Sequence, residues 1–142
     1  MKSILITGAA SGIGAATAKK LASKEVSLTL TTKTNLEGLK AVKQFAENKG
    51  AKVNFICGDL SEKNFIEKLV NLARSSTGNI DQFISNAGYA DKKEFGEYNN
   101  DDLSRSVQTM AISFSEIINL CIEDFKKSNC GRIVVISSFV NK

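Results

Sequence analysis

Three glycines, Gly8, Gly12 and Gly14, stand in the stretch Thr7-Gly8-Ala9-Ala10-Ser11-Gly12-Ile13-Gly14, between an apolar run, Ile4-Leu5-Ile6, and a helical pattern over residues 13–24. A strand that enters a helix through such a turn leaves backbone N–H groups and the positive end of a helix pointing outward together. That arrangement binds phosphate. Each glycine has its own task. Gly8 permits the tight turn, Gly12 lets the backbone approach a pyrophosphate with no Cβ in between, and Gly14 lets the helix pack closely on the strand. Ser11 and Ile13 complete the phosphate-facing turn. No Lys-Ser or Lys-Thr follows the glycines, so the mononucleotide P-loop is excluded.

A second group bears on which dinucleotide such a turn would hold. An NAD site places an Asp or Glu about twenty residues past the glycines to accept from the ribose 2′-OH. Here no acidic residue lies between Glu25 and Glu37, and Thr31, Thr32, Lys33 and Thr34 occupy the place instead. Three hydroxyls around a cation suit a 2′-phosphate, which predicts NADP in preference to NAD, with Thr32 and Lys33 at that end of the cofactor. A cation about 4 Å from such a phosphate contributes roughly 1 to 4 kcal/mol, depending on screening.

Other chemistries are excluded by composition. The chain has no histidine, which removes Ser-His-Asp and Cys-His machinery, and its three cysteines, Cys57, Cys121 and Cys130, form no Cys-x-x-Cys pair. They read as small hydrophobes or inert thiols rather than metal ligands or disulfide partners. Lys+Arg 19 against Asp+Glu 15 gives a net charge of +4, but the basic residues are scattered, which argues against a nucleic-acid partner. No apolar run is long enough for a membrane span and no leader precedes the first strand, so the expected location is cytoplasmic.

The elements that must position these residues alternate regularly. With 142 residues and 42% hydrophobic content the chain suits one domain, residues 1–142, with one core. Strands are predicted at residues 4–6, 26–31, 53–57, 80–84 and 133–136. Helices are predicted over 13–24, then from a Thr34-x-x-Glu37 capping box to about residue 49, then from a Ser61 cap to before Gly78. One long helix is predicted to carry Leu103, Val107, Met110, Phe114, Ile117, Cys121 and Phe125 on one face. Such alternation implies βαβ units, a parallel sheet and right-handed crossovers. Ligands in such sheets lie beyond the carboxyl ends of the strands. The glycine turn, residues 31–33, 57–60 and 85–88, and Ser137-Ser138 all fall at such ends, so one crevice is expected to gather them.

The motifs Thr7 to Gly14, Gly58-Asp59-Leu60, Ser85-Asn86-Ala87-Gly88 and Gly131-Arg132-Ile133-Val134-Val135-Ile136-Ser137-Ser138 occur in this order. Together they resemble the short-chain dehydrogenase/reductase family along the whole chain. The resemblance implies a three-layer α/β Rossmann fold with strand order 3-2-1-4-5, and a nicotinamide-dependent oxidoreductase that interconverts a carbonyl and an alcohol on a small-molecule substrate. It also implies roles: Asp59 on the adenine with Leu60 beside it, Asn86, Ala87 and Gly88 flanking the adenine ribose, Lys33 as the basic residue of NADP-preferring members, and Ser138 on the substrate oxygen. Each has a structural alternative: Asp59 as a helix cap, Asn86 as the closure of a strand-end turn, Ser138 as a plain loop serine.

Two departures bear on catalysis. The family's general acid/base is a Tyr-x-x-x-Lys pair on the helix after the fifth strand, where a neighbouring lysine lowers the tyrosine pKa, and the chain stops at Lys142 before that helix. The family's asparagine on the long helix falls near Met110, with no Asn between Asn100 and Asn119. The expectation is an N-terminal, cofactor-binding part of a longer reductase, lacking the C-terminal strands and inactive alone. The alternative is a non-catalytic nucleotide-binding or interaction module. Residues 133–136 read as a parallel strand buried on both faces, which Ser138 to Lys142 cannot cover. Left open, that strand and the long helix are expected to pair with another chain as a homo-oligomer.

Overall fold

The computed structural model describes residues 1–88, 93, 94 and 96–138. Five parallel strands, β1 (Lys2–Thr7), β2 (Val26–Thr32), β3 (Lys52–Cys57), β4 (Gln82–Ser85) and β5 (Arg132–Val135), form one sheet in the order β3-β2-β1-β4-β5. The order reverses beside β1, which opens a crevice beyond the carboxyl ends of β1 and β4.

Side-chain alternation along β1 divides the interior in two. Ile4 and Ile6 join Leu28 and Leu30 of β2 in a cluster under α1 (Gly12–Leu21) and α2 (Leu36–Asn48). Leu5 points the other way, into a cluster with Phe83, with Ile66 and Leu69 of α3 (Lys63–Arg74), and with Ile117 and Cys121. The period of two thus sends one strand's side chains into both helical layers, and the result is the expected three-layer sandwich. Cys121 is fully buried, and burial pushes its thiol up to about 12, so it behaves as a core hydrophobe.

The helix starts differ from expectation. Asn35 rather than Thr34 caps α2, its side chain accepting from Gly38 N at 2.9 Å. Ser61 does not cap α3, which begins after Glu62 with no side-chain cap; the Ser61 amide instead donates to Asp59 Oδ1 at 2.9 Å. The first helix ends at Leu21, short of residue 24.

The expected long helix is in three pieces: α4 (Asn100–Val107), a π turn (Gln108–Ile112) and α5 (Ser113–Lys127). A π turn holds one extra residue, which rotates the faces of α5 by about 100° relative to those of α4. Ile117, Cys121 and Phe125 are therefore buried, whereas Leu103, Val107 and Met110 lie off that face and stay exposed. The fifth strand is open, as expected of an apolar run that its neighbours in sequence cannot cover. It pairs with β4, and Ile133, Val134 and Val135 are exposed.

Candidate functional site

The turn between β1 and α1 takes its shape from two left-handed glycines, Gly8 at φ 65° and Gly12 at φ 51°. The Ala9 amide donates to Thr31 O at 2.9 Å, which ties the turn to the end of β2. A Cβ on Gly8 would lie 2.9 Å from Ala87 Cα, and one on Gly14 would lie 2.3 Å from Gly8 O. Both glycines are required by the protein's own packing. Gly12 is different: a Cβ there would meet nothing within 4 Å, so its missing side chain leaves open space at the turn. The N-terminus of α1 opens into that space with no side-chain cap from Ser11 and no acidic residue in its first turn. By contrast, α2 and α4 carry capping side chains. The first amides of α1 thus keep their capacity and partial positive charge for an anion.

From this turn a crevice of about 390 Å³ runs across the strand ends, within the range of small-ligand sites. Gly8, Ser11, Gly12 and Ile13 line one end. Thr31, Thr32 and Lys33 enter from β2, and Gly58, Asp59 and Leu60 from the end of β3. Asn86, Ala87 and Gly88 enter from the end of β4. Of the expected cofactor residues, only Gly14 is absent from the lining. It is buried behind the turn, which is where close helix packing needs it.

Side chains at the crevice also have partners within the protein, Lys33, Asp59 and Asn86 among them. Lys33 Nζ lies 2.5 Å from Asp59 Oδ2 at the ends of β2 and β3. The hydrogen bond from Lys33, then the one from the Ser61 amide, outweighs burial and holds Asp59 at about 2. Asn86 Nδ2 donates to Gly8 O at 3.0 Å and to Thr7 O at 3.2 Å, while the Asn86 and Ala87 amides both donate to Thr7 Oγ1 at 3.1 Å. Asn86 is therefore the clasp between β1 and β4 as well as a lining residue.

The crevice does not gather everything expected of it. Ser137 and Ser138 are exposed and lie outside its lining. Met110, at the place of the expected asparagine, is exposed on the π turn and carries no proton-relaying group. Two lining residues were not expected: Arg105 on α4 and Thr109 on the π turn. Their i, i+4 spacing was the available signal, but the apolar stripe of the supposed single helix pointed elsewhere.

A family model described as short chain dehydrogenase matches residues 2–142. The chain belongs to the short-chain dehydrogenase family. Similar curated proteins include a fatty acyl-CoA reductase of Acinetobacter baylyi, 32% identical over 141 residues that cover 96% of this chain and 47% of that one. The NADPH-dependent reductase BacG of Bacillus subtilis is 26% identical over 137 residues, covering 95% and 52%. Among solved structures, a short-chain dehydrogenase from Burkholderia cenocepacia in complex with NADP superposes with a TM-score of 0.87 at 25% identity, covering 94% of this chain and 54% of that one. A Serratia marcescens short-chain dehydrogenase/reductase gives 0.87 at 28% identity, covering 96% and 55%. The chain spans about half the length of these relatives.

One spacing needs separating from the catalytic pair of short-chain dehydrogenases. Lys93 stands four residues after Tyr89, but between β4 and α4 rather than on a helix after β5. Lys93 Nζ lies 2.5 Å from Asp102 Oδ2 and so braces the start of α4; Tyr89 lies outside the described residues, as do residues 139–142. Among the described residues, no helix is long and apolar enough to cross a membrane.

Proposed function

We propose that this chain is the NADP(H)-binding part of a short-chain oxidoreductase that interconverts a carbonyl and an alcohol. The observation that carries the reading is the crevice itself. A glycine turn with open space at Gly12 and an uncapped helix N-terminus shares it with Thr32 and Lys33 at the end of β2. In this reading the first amides of α1 receive the diphosphate, Thr32 and Lys33 receive the 2′-phosphate, and Asp59 and Leu60 border the adenine. The cofactor would supply hydride transfer to or from the substrate carbon; the chain's own residues bind and orient it. A relative named NADPH-dependent reductase and a neighbour solved with NADP support NADP over NAD.

Lys33 also faces Asp59, so a 2′-phosphate would share this cation with a carboxylate, and the preference is smaller than a lone lysine would give. Fluorescence titration of the purified chain with NADPH and NADH tests the reading. Tighter NADPH binding that inverts in Lys33→Asp supports it, and equal binding of both by the wild type removes the NADP assignment.

A second reading, a non-catalytic nucleotide-binding or interaction module, is favoured by Met110, whose thioether cannot take the place of an amide in a proton relay. Sequencing the reading frame around codon 142 separates the two: a Tyr-x-x-x-Lys pair encoded beyond it favours the enzyme, and its absence favours the module. The exposed faces of β5 and the Leu103, Val107 and Met110 surface support association with another chain. A monomer by light scattering would argue against that part of the reading.

A further inference from the structure

One wall of the crevice comes from outside the recognised motifs. Arg105 and Thr109 stand four residues apart, so they share a helix face, and both line the crevice. The start of α4 is built to hold that face in place. Asn99 and Asp102 form a reciprocal capping box, with Asp102 N donating to Asn99 Oδ1 at 2.9 Å and Asn99 N donating to Asp102 Oδ2 at 3.1 Å. Asp102 is buried and also receives Lys93 at 2.5 Å. Lys93 and the Asn99 amide hold its carboxylate, and the charge of Arg105, one turn further along, acts on it as well.

The crevice has distinct places for anions, at the N-terminus of α1 and around Thr32 and Lys33. Arg105 belongs to neither. It shares the lining with Leu60, which is buried and apolar, and with Ala87. A planar cation together with an apolar floor suits a flat heteroaromatic ring, because a guanidinium stacks on a π face where an ammonium does not match its shape. We propose that Arg105 packs its guanidinium plane on the nucleobase of the bound nucleotide, with Leu60 and Ala87 completing the slot, and so selects for the base rather than for a phosphate. This rests on the reading of the crevice as a dinucleotide site.

Titration calorimetry of the purified chain with NADPH and with adenosine 2′,5′-bisphosphate tests it. Arg105 is exposed, and an unchanged melting midpoint in Arg105→Ala checks that the fold is intact. The expected result is that Arg105→Ala weakens both ligands by the same factor, about tenfold, equally at low and high salt. Arg105→Lys, which keeps the charge and loses the plane, is expected not to restore binding. An unchanged affinity in Arg105→Ala overturns the proposal, as does full rescue by lysine. A loss that disappears at high salt assigns Arg105 to a phosphate and overturns it as well. A wild type that binds neither ligand overturns the nucleotide reading itself, an outcome distinct from the other three.

Discussion

Lys33 and Asp59 join the ends of β2 and β3 by an ion pair of 2.5 Å, with the lysine well exposed and the carboxylate mostly covered. The pair sets two properties at once, the charge at the rim of the crevice and the acidity of Asp59. Because Asp59 is held at about 2, below the roughly 3.9 of an unfolded aspartate, its contribution to stability is present above about pH 4. It is lost as pH falls toward about 2. Asp59→Asn should flatten that part of the acid unfolding curve measured by circular dichroism, and should free Lys33 to favour NADPH over NADH more strongly.

Gly8 and Gly12 are both left-handed, yet they should fail differently when replaced. Alanine at Gly8 meets Ala87 Cα at 2.9 Å as well as an unfavourable φ, so Gly8→Ala should lose about 2–4 kcal/mol in urea unfolding. Alanine at Gly12 meets no protein atom and carries only the conformational cost of about 1–2 kcal/mol. Gly12→Ala should therefore keep most of the stability while, on the proposed reading, NADPH binding falls by more than about tenfold, because the added methyl would enter the open space proposed for the diphosphate.

Thr7 carries the junction of β1 and β4 on one hydroxyl. Its Oγ1 accepts both the Asn86 and the Ala87 amides, and the residue is buried. Thr7→Val keeps the shape and strands two donors, so it should cost about 2–4 kcal/mol in denaturant unfolding. Thr7→Ser, which keeps the acceptor, should recover most of that loss. A valine variant as stable as wild type would mean that water replaces the hydroxyl.

Asp81 is the corresponding junction at the opposite end of the sheet. Its carboxylate accepts from Ser3 N at 2.7 Å, Ser128 Oγ at 2.6 Å and Asn79 Nδ2 at 2.9 Å. Burial pushes its pKa up, but the hydrogen bonds from Ser128, Ser3 and Asn79 together outweigh it and hold the group below the ordinary aspartate range. The stability this confers is present above about pH 4 and lost as pH falls below it. Asp81→Asn should lower the melting midpoint at neutral pH and shrink its decline on acidification, as read by differential scanning calorimetry.

The parts of this architecture legible in the sequence are those where one residue type answers one local demand. Gly8, Gly12 and Gly14 announced the turn, and the alternation of apolar runs with helical patterns announced the parallel sheet. What was misread depended on neighbours. Thr34 and Asn35 are both competent caps, and the choice of Asn35 is made where the backbone turns, close to Gly38, whose absent side chain lets it approach Ala10 O. The π turn after Val107 leaves no mark in composition, so a seven-residue stripe looked continuous when it was two stripes out of phase. Arg105 escaped notice for the same reason. Ile133, Val134 and Val135 are by contrast legible as an open strand, because their types report what a buried strand is made of and the residues next to them in sequence cannot cover it.

The ladder of the sheet is uneven. Pairing of β1 with β2 runs from Lys2↔Val26 to Thr7↔Thr31, and β2 with β3 from Ser27↔Lys52 to Thr32↔Cys57, whereas β1 meets β4 only from Ile4↔Gln82 to Ile6↔Ile84. Deuterium uptake should therefore be slowest in the β2 amides and fastest in those of β5, with β4 between them. On that ordering the half that carries Lys33 and Asp59 should hold its shape while the half that carries Asn86 opens more readily, so a ligand bridging the two would register as a delay in uptake on the β4 side alone.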